Sequence, residues 1–156
     1  MINRRHAILM TLAALSACGR TPDVTRLNAF EPPLYSGETP ELRALINHWA
    51  DTYQVPRSLF HRVIQRESSY NPSAQHRSYY GLMQIDPRTA RTMGHQGDPE
   101  ELLDAETNLI YAGKYLRGAW LVSDGDQDEA VRWYASGYYY EAKRRGLLVE
   151  TGLRSA

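Results

Sequence analysis

A mostly α-helical domain is what this sequence predicts, and three observations predict it. Apolar residues recur at three- and four-residue spacing through successive stretches. Those stretches open at Thr-Pro, Val-Pro, Asp-Pro or a lone Asp, and several close at glycine. No run alternates apolar with polar residues over strand length, although a short hairpin fits between Gln75 and Ile85. At 156 residues, 42% hydrophobic and 23% charged, the chain has material for one core and little for a second. Basic and acidic residues balance at 18 each with no basic tract, so neither nucleic acid nor an anionic surface is indicated as a partner.

The elements follow in order. "MINRRHAILMTLAALSACG" places Arg4 and Arg5 before an apolar run from Ala7 to Ala17 and small residues before Cys18, the layout of an export signal. The run is too short for a comfortable membrane span. "LSAC" further resembles a lipobox, so residues 1–17 are expected to be a lipoprotein-type signal peptide and Cys18 a lipidated N-terminus. Cleavage at a nearby alanine is the alternative. Cys18 is the one cysteine, which excludes an intramolecular disulfide. Residues 18–38 hold Pro22, Pro32 and Pro33 without periodicity and read as a linker, leaving 39–156 as the folded domain.

Within that domain, Thr39 and Pro40 start a helix with Leu42, Leu45, Ile46 and Trp49 on one stripe. Pro56 starts a second, "VPRSLFHRVIQRESS". Asp86 caps a short third that Gly94 closes, and Asp98-Pro99 opens a further turn or two. "DAETNLIYAGKYLRGAWLV" is apolar around most of its circumference and is expected at the centre of the core. "DQDEAVRWYASG" and "YYEAKRRG" complete the set, ended by Gly137 and Gly146.

Glu67 stands out. Phe60, Val63, Ile64 and Glu67 occupy i, i+3, i+4 and i+7 of the second helix, so the glutamate shares the apolar stripe in the last turn. Desolvation and the negative end of the helix dipole both disfavour its ionised form. A carboxylic acid kept neutral beside an open loop suits proton donation to a glycosidic oxygen. The alternative is a structural glutamate satisfied by Arg66 or a tyrosine hydroxyl. Asn71-Pro72 ends the helix directly afterwards, and Tyr70, Tyr79, Tyr80 and Gln84 then supply aromatic faces and an amide, the groups that bind pyranose rings and their hydroxyls.

"ESSYNPSA", "GLMQIDPRTA", "DAETNLIYAGKYL" and "AVRWYASG" stand in an order and spacing that resemble the catalytic domain of soluble lytic transglycosylases, whose fold is similar to goose-type lysozyme. The resemblance covers Leu42 to Leu148. It implies a lysozyme-like helical domain that cleaves the β-1,4 bond between N-acetylmuramic acid and N-acetylglucosamine of peptidoglycan, leaving a 1,6-anhydro end without hydrolysis. It implies Glu67 as the single catalytic acid and base, Gln84 and Met83 in the substrate groove, Tyr134 with its hydroxyl at the acid, and Tyr115 in the buried helix; Tyr80 and Ser78 belong to the substrate loop. Asn108 reads as a structural hydrogen-bonder. The chain departs from the family at "QHRSYY", a shorter and bulkier turn, and at Ala135-Ser136, where an Asn-Ala is usual. Tyr138, Tyr139 and Tyr140 follow, one expected to face substrate and the others to pack.

Other chemistry is not indicated. Asp124, Asp126 and Asp128 begin like a calcium loop, but its glycine and closing glutamate are replaced by Glu129 and Ala135. His48, His61, His76 and His95 show no metal-ligand spacing, so neither metal nor cofactor is expected. The expected setting is the periplasm, with peptidoglycan strands as partner and the membrane reached only through the lipid. Two alternatives stand beside this reading: a lysozyme-type hydrolase, and a weakly active wall-binding module serving an envelope-spanning secretion apparatus.

Overall fold

The computed structural model describes residues 31–155. The signal segment expected over 1–17 and the lipidation expected at Cys18 lie outside the described residues. Helix α1, Pro40–Thr52, starts as its cap signal requires: the Thr39 hydroxyl accepts from the Leu42 N–H at 3.2 Å and Pro40 presets the first turn. Helix α2, Arg57–Ser68, buries Leu59, Phe60, Val63 and Ile64. It stops where Ser69 and Tyr70 both take left-handed backbone, with φ of 50° and 66°, and Pro72 prevents resumption.

The strands β1 (Gln75–His76) and β2 (Tyr79–Tyr80) pair antiparallel, Gln75 opposite Tyr80 and His76 opposite Tyr79. A bridge from Tyr80 to Ile85 carries the chain through Gly81-Leu82-Met83-Gln84. Helix α3 is Pro87–Thr92, followed by a 3-10 helix at Pro99–Leu103, α4 at Ala105–Val122, α5 at Gln127–Ser136 and α6 at Tyr139–Arg145. Asp86, Asp104 and Asp126 cap α3, α4 and α5 by accepting from Arg88, Thr107 and Glu129 N–H groups.

Helix α4 is the hub, packed by α1, α3, α5, α6 and the 3-10 helix. Leu109, Ala112, Leu116 and Ala119 on it have no exposure, each leucine contributing about 1.5–3 kcal/mol by burial. The polar exception is Asn108, fully buried and fully engaged: its Oδ1 accepts from Met83 N–H at 2.9 Å, and its Nδ2 donates to the carbonyls of Tyr80 and Leu102 at 2.8 and 2.9 Å. It ties the hairpin, the Gly81–Gln84 loop and the 3-10 helix to the hub. Gly81 makes this approach possible, since a Cβ there would stand 2.2 Å from the Leu102 carbonyl, and its φ is +75°.

Two details differ from expectation. Residues 31–38, the described end of the segment read as a linker, pack onto α1 and α2; Glu38 is buried and ion-paired to Arg43. Of the tyrosine run, Tyr138 packs inward and donates to the Tyr115 carbonyl, while Tyr139 and Tyr140 are exposed.

Candidate active site

Glu67 sits in the last turn of α2, with its side chain 24% exposed, at the edge of the core rather than inside it. Among the described residues its carboxylate accepts no hydrogen bond; the nearest cation is the Arg66 Nε, 3.5 Å from Oε1. Partial burial therefore acts almost unopposed and raises its pKa above the ordinary carboxyl value, Arg66 pulling weakly the other way. The structural alternative, a glutamate satisfied by Arg66 or a tyrosine, lacks its hydrogen bond.

The neighbouring phenol is Tyr134 on α5. Burial pushes it well up, and the Glu67 charge pushes it further, which puts the two groups within electrostatic range. The Tyr134 hydroxyl donates to the Met83 carbonyl at 2.8 Å, so its proton is spent on the loop and its ring orientation is fixed. Tyr115 on α4 packs edge-on against Tyr134 at 5.5 Å between centroids, and burial pushes its hydroxyl up to about 12.

These two tyrosines form part of a cavity of about 470 Å³, walled also by Tyr79, Gln84, Asp86, Arg88, Ser136 and Gly137. Gln84 is held with unusual firmness. Its backbone is left-handed, φ 48°, and its side-chain Nε2 donates to the carbonyls of Ala74 and Gly81, both at 2.9 Å. Because both partners are acceptors, the amide orientation is unambiguous, and Oε1 is left without a protein donor among the described residues. The cavity thus meets aromatic faces together with a fixed acceptor.

The residues expected from sequence fall into two groups. Gln84, Tyr134 and Tyr115 line the cavity. Met83 has no exposure and serves through its backbone, giving its N–H to Asn108 and its carbonyl to Tyr134. Tyr80 packs against the core, and Ser78 donates to Asp86 at 3.3 Å; neither is among the cavity walls. Tyr79 takes the place expected of Tyr80, and the available signal was the two-residue period of a strand, which sends adjacent tyrosines to opposite faces. Asp86 was legible as a cap but not as a wall. Hydrogen bonds from Arg88, with others from the Arg88 N–H and Ser78, hold its carboxyl below the ordinary range.

Among the described residues no group of three or more His, Cys, Asp or Glu is placed to hold a metal ion. The acids that began like a calcium loop are otherwise employed: Asp124 pairs with Arg145, Asp126 caps α5 and Asp128 pairs with Arg62.

Comparison with curated proteins and with solved structures gives no match. The family model described as the transglycosylase SLT domain matches residues 44–146, more than half of the chain and all of the segment from Glu67 through the cavity to Tyr134.

Proposed function

Since the chain belongs to the transglycosylase SLT domain family, with peptidoglycan as the substrate that membership implies, we propose that Glu67 is its general acid and base. The protonated carboxyl gives its proton to the oxygen linking N-acetylmuramic acid to N-acetylglucosamine as the C1–O bond breaks. The substrate's own acetamido group stabilises the anomeric carbon, so no second carboxylate is needed. The Glu67 carboxylate then removes the proton of the C6 hydroxyl while that oxygen bonds to C1. A 1,6-anhydro ring results, water is not consumed, and the acid is restored.

The observation that carries this reading is the half-buried Glu67 carboxyl, which accepts no hydrogen bond among the described residues and, though not itself a cavity wall, lies within electrostatic range of Tyr134, which is one. Tyr79, Tyr115 and Tyr134 offer rings to the sugar, and Gln84 Oε1 accepts from a hydroxyl or an acetamido N–H. Glu67→Gln preserves shape and removes the proton; it should lose turnover of purified cell-wall sacculi while still binding them in a pull-down. Retained turnover would overturn the assignment. The leader supports an exported, lipid-anchored enzyme, to be tested by incorporation of labelled fatty acid that Cys18→Ala abolishes.

A further inference from the structure

We propose that the segment Glu31–Glu38, outside the family-matched region, is a clamp that positions Glu67, with Tyr35 as its principal positioning residue. The proposal rests on the assignment of Glu67 as the acid.

The turn that ends α2 is the reason a clamp has work to do. Ser69 and Tyr70, two and three residues past Glu67, both hold left-handed backbone, which side-chain-bearing residues adopt uncommonly and at a cost. What surrounds them is the segment before α1. The Tyr35 ring stacks on Tyr70 at 5.6 Å between centroids and 14° between planes, and lies 5.6 Å from the His61 ring. The backbone at Gly37 runs against the same turn: a Cβ there would come within 2.7 Å of the Ser69 carbonyl, and φ at Gly37 is +86°.

The clamp is itself fastened. Glu38 accepts from the Tyr35 N–H and from the Arg43 guanidinium, and Arg43 also donates to the carbonyls of Pro32 and Pro33 at 2.9 and 3.2 Å. Burial alone would raise Glu38, but these donors hold it below the ordinary range, so it is ionised where the bonds need it. His61, brought down to about 4 by burial, is neutral; its Nε2 stands 3.2 Å from Asn47 Oδ1, and its Nδ1 stands 3.1 Å from the Tyr70 hydroxyl and 3.4 Å from Glu38 Oε1. Tyr70 is therefore gripped at its ring by Tyr35 and at its hydroxyl by His61. Releasing Tyr35 frees the turn, lets the last turn of α2 fray and swings the Glu67 carboxyl into water.

The test uses the full chain, with kcat and KM measured on soluble peptidoglycan glycan oligomers across pH, normalised to the folded fraction from circular dichroism. Tyr35→Ala is expected to lower kcat by about tenfold or more and leave KM within about twofold, since geometry at the acid is lost while the cavity is intact. Better solvation of Glu67, whose other neighbours are Arg66 on α2 and Tyr134 on α5, should move the alkaline limb of the profile to lower pH. Tyr35→Phe, which keeps the ring, should restore both values, and Gly37→Ala should shift the limb in the same direction as Tyr35→Ala. A Tyr35→Ala enzyme with wild-type kcat and profile per folded molecule overturns the clamp. Glu67→Gln run alongside separates the two claims: if it turns over, both fall; if it is inert and Tyr35→Ala is unaltered, the clamp alone falls.

Discussion

Asn108→Ala removes the polar side chain that, among the described residues, ties the loop carrying Gln84 to the hub helix. Three hydrogen bonds of 2.8–2.9 Å disappear at a residue with no exposure. The Met83 N–H becomes an orphaned buried donor, costing about 1–3 kcal/mol, and the carbonyls of Tyr80 and Leu102 each lose a bond worth about 1 kcal/mol. The total is about 3–5 kcal/mol, a large fraction of the stability of an ordinary domain. With a urea m-value of about 2 kcal/mol/M, the midpoint should fall by about 1.5–2.5 M at unchanged slope. Unfolding followed by tryptophan fluorescence measures it. Asn108→Asp is the sharper companion, because it retains an acceptor for Met83 but turns an anionic oxygen toward two carbonyls, and it should be no more stable than the alanine variant. A midpoint shift below about 0.5 M would refute the claim that Asn108 holds the loop.

Three further predictions concern the site. The raised pKa of Glu67 means that its protonated form is favoured by folding: that contribution is complete below the ordinary carboxyl value of 4.5 and is lost as pH rises through the raised value, so ionised Glu67 costs stability at neutral pH. Glu67→Gln should accordingly melt above wild type at pH 7, with the gap closing as pH falls below 4.5, and the alkaline limb of kcat/KM should lie above 4.5 and move higher in Arg66→Ala, read by calorimetry and by a pH–rate profile. Gln84→Glu replaces the Nε2 that donates to Ala74 and Gly81 with an acceptor facing two carbonyls; it should destabilise the domain by about 2–3 kcal/mol at pH 7, seen as a lower melting temperature.

Much of the fold was legible because the helix boundaries are written in short-range chemistry. Thr39-Pro40, Asp86-Pro87, Asp104 and Asp126 cap where their side chains reach the first turn, whatever the tertiary structure. Glu67 was visible for a related reason, since a charge on an apolar helical stripe violates a local rule. What could not be read depends on pairing and packing. Whether Tyr79 or Tyr80 meets the cavity turns on the register of a two-residue hairpin. Met83 is drawn into the core by Asn108, so its contribution is a carbonyl rather than a thioether. Residues 31–38 have linker composition, and partners outside the segment make them part of the domain: His61 and Tyr70 for Tyr35, and Arg43 for Glu38 and the Pro32 and Pro33 carbonyls.

The most direct measurement of the central claim is mass spectrometry of muropeptides released from purified sacculi by the wild-type chain and by Glu67→Gln. Glu67 acting as acid and then base predicts 1,6-anhydro ends, lighter than the hydrolytic product by one water, from the wild type and none from the variant. Reducing N-acetylmuramic acid ends from the wild type would show that water attacks instead, and release of products by the variant, or none by either, would contradict the role given to Glu67.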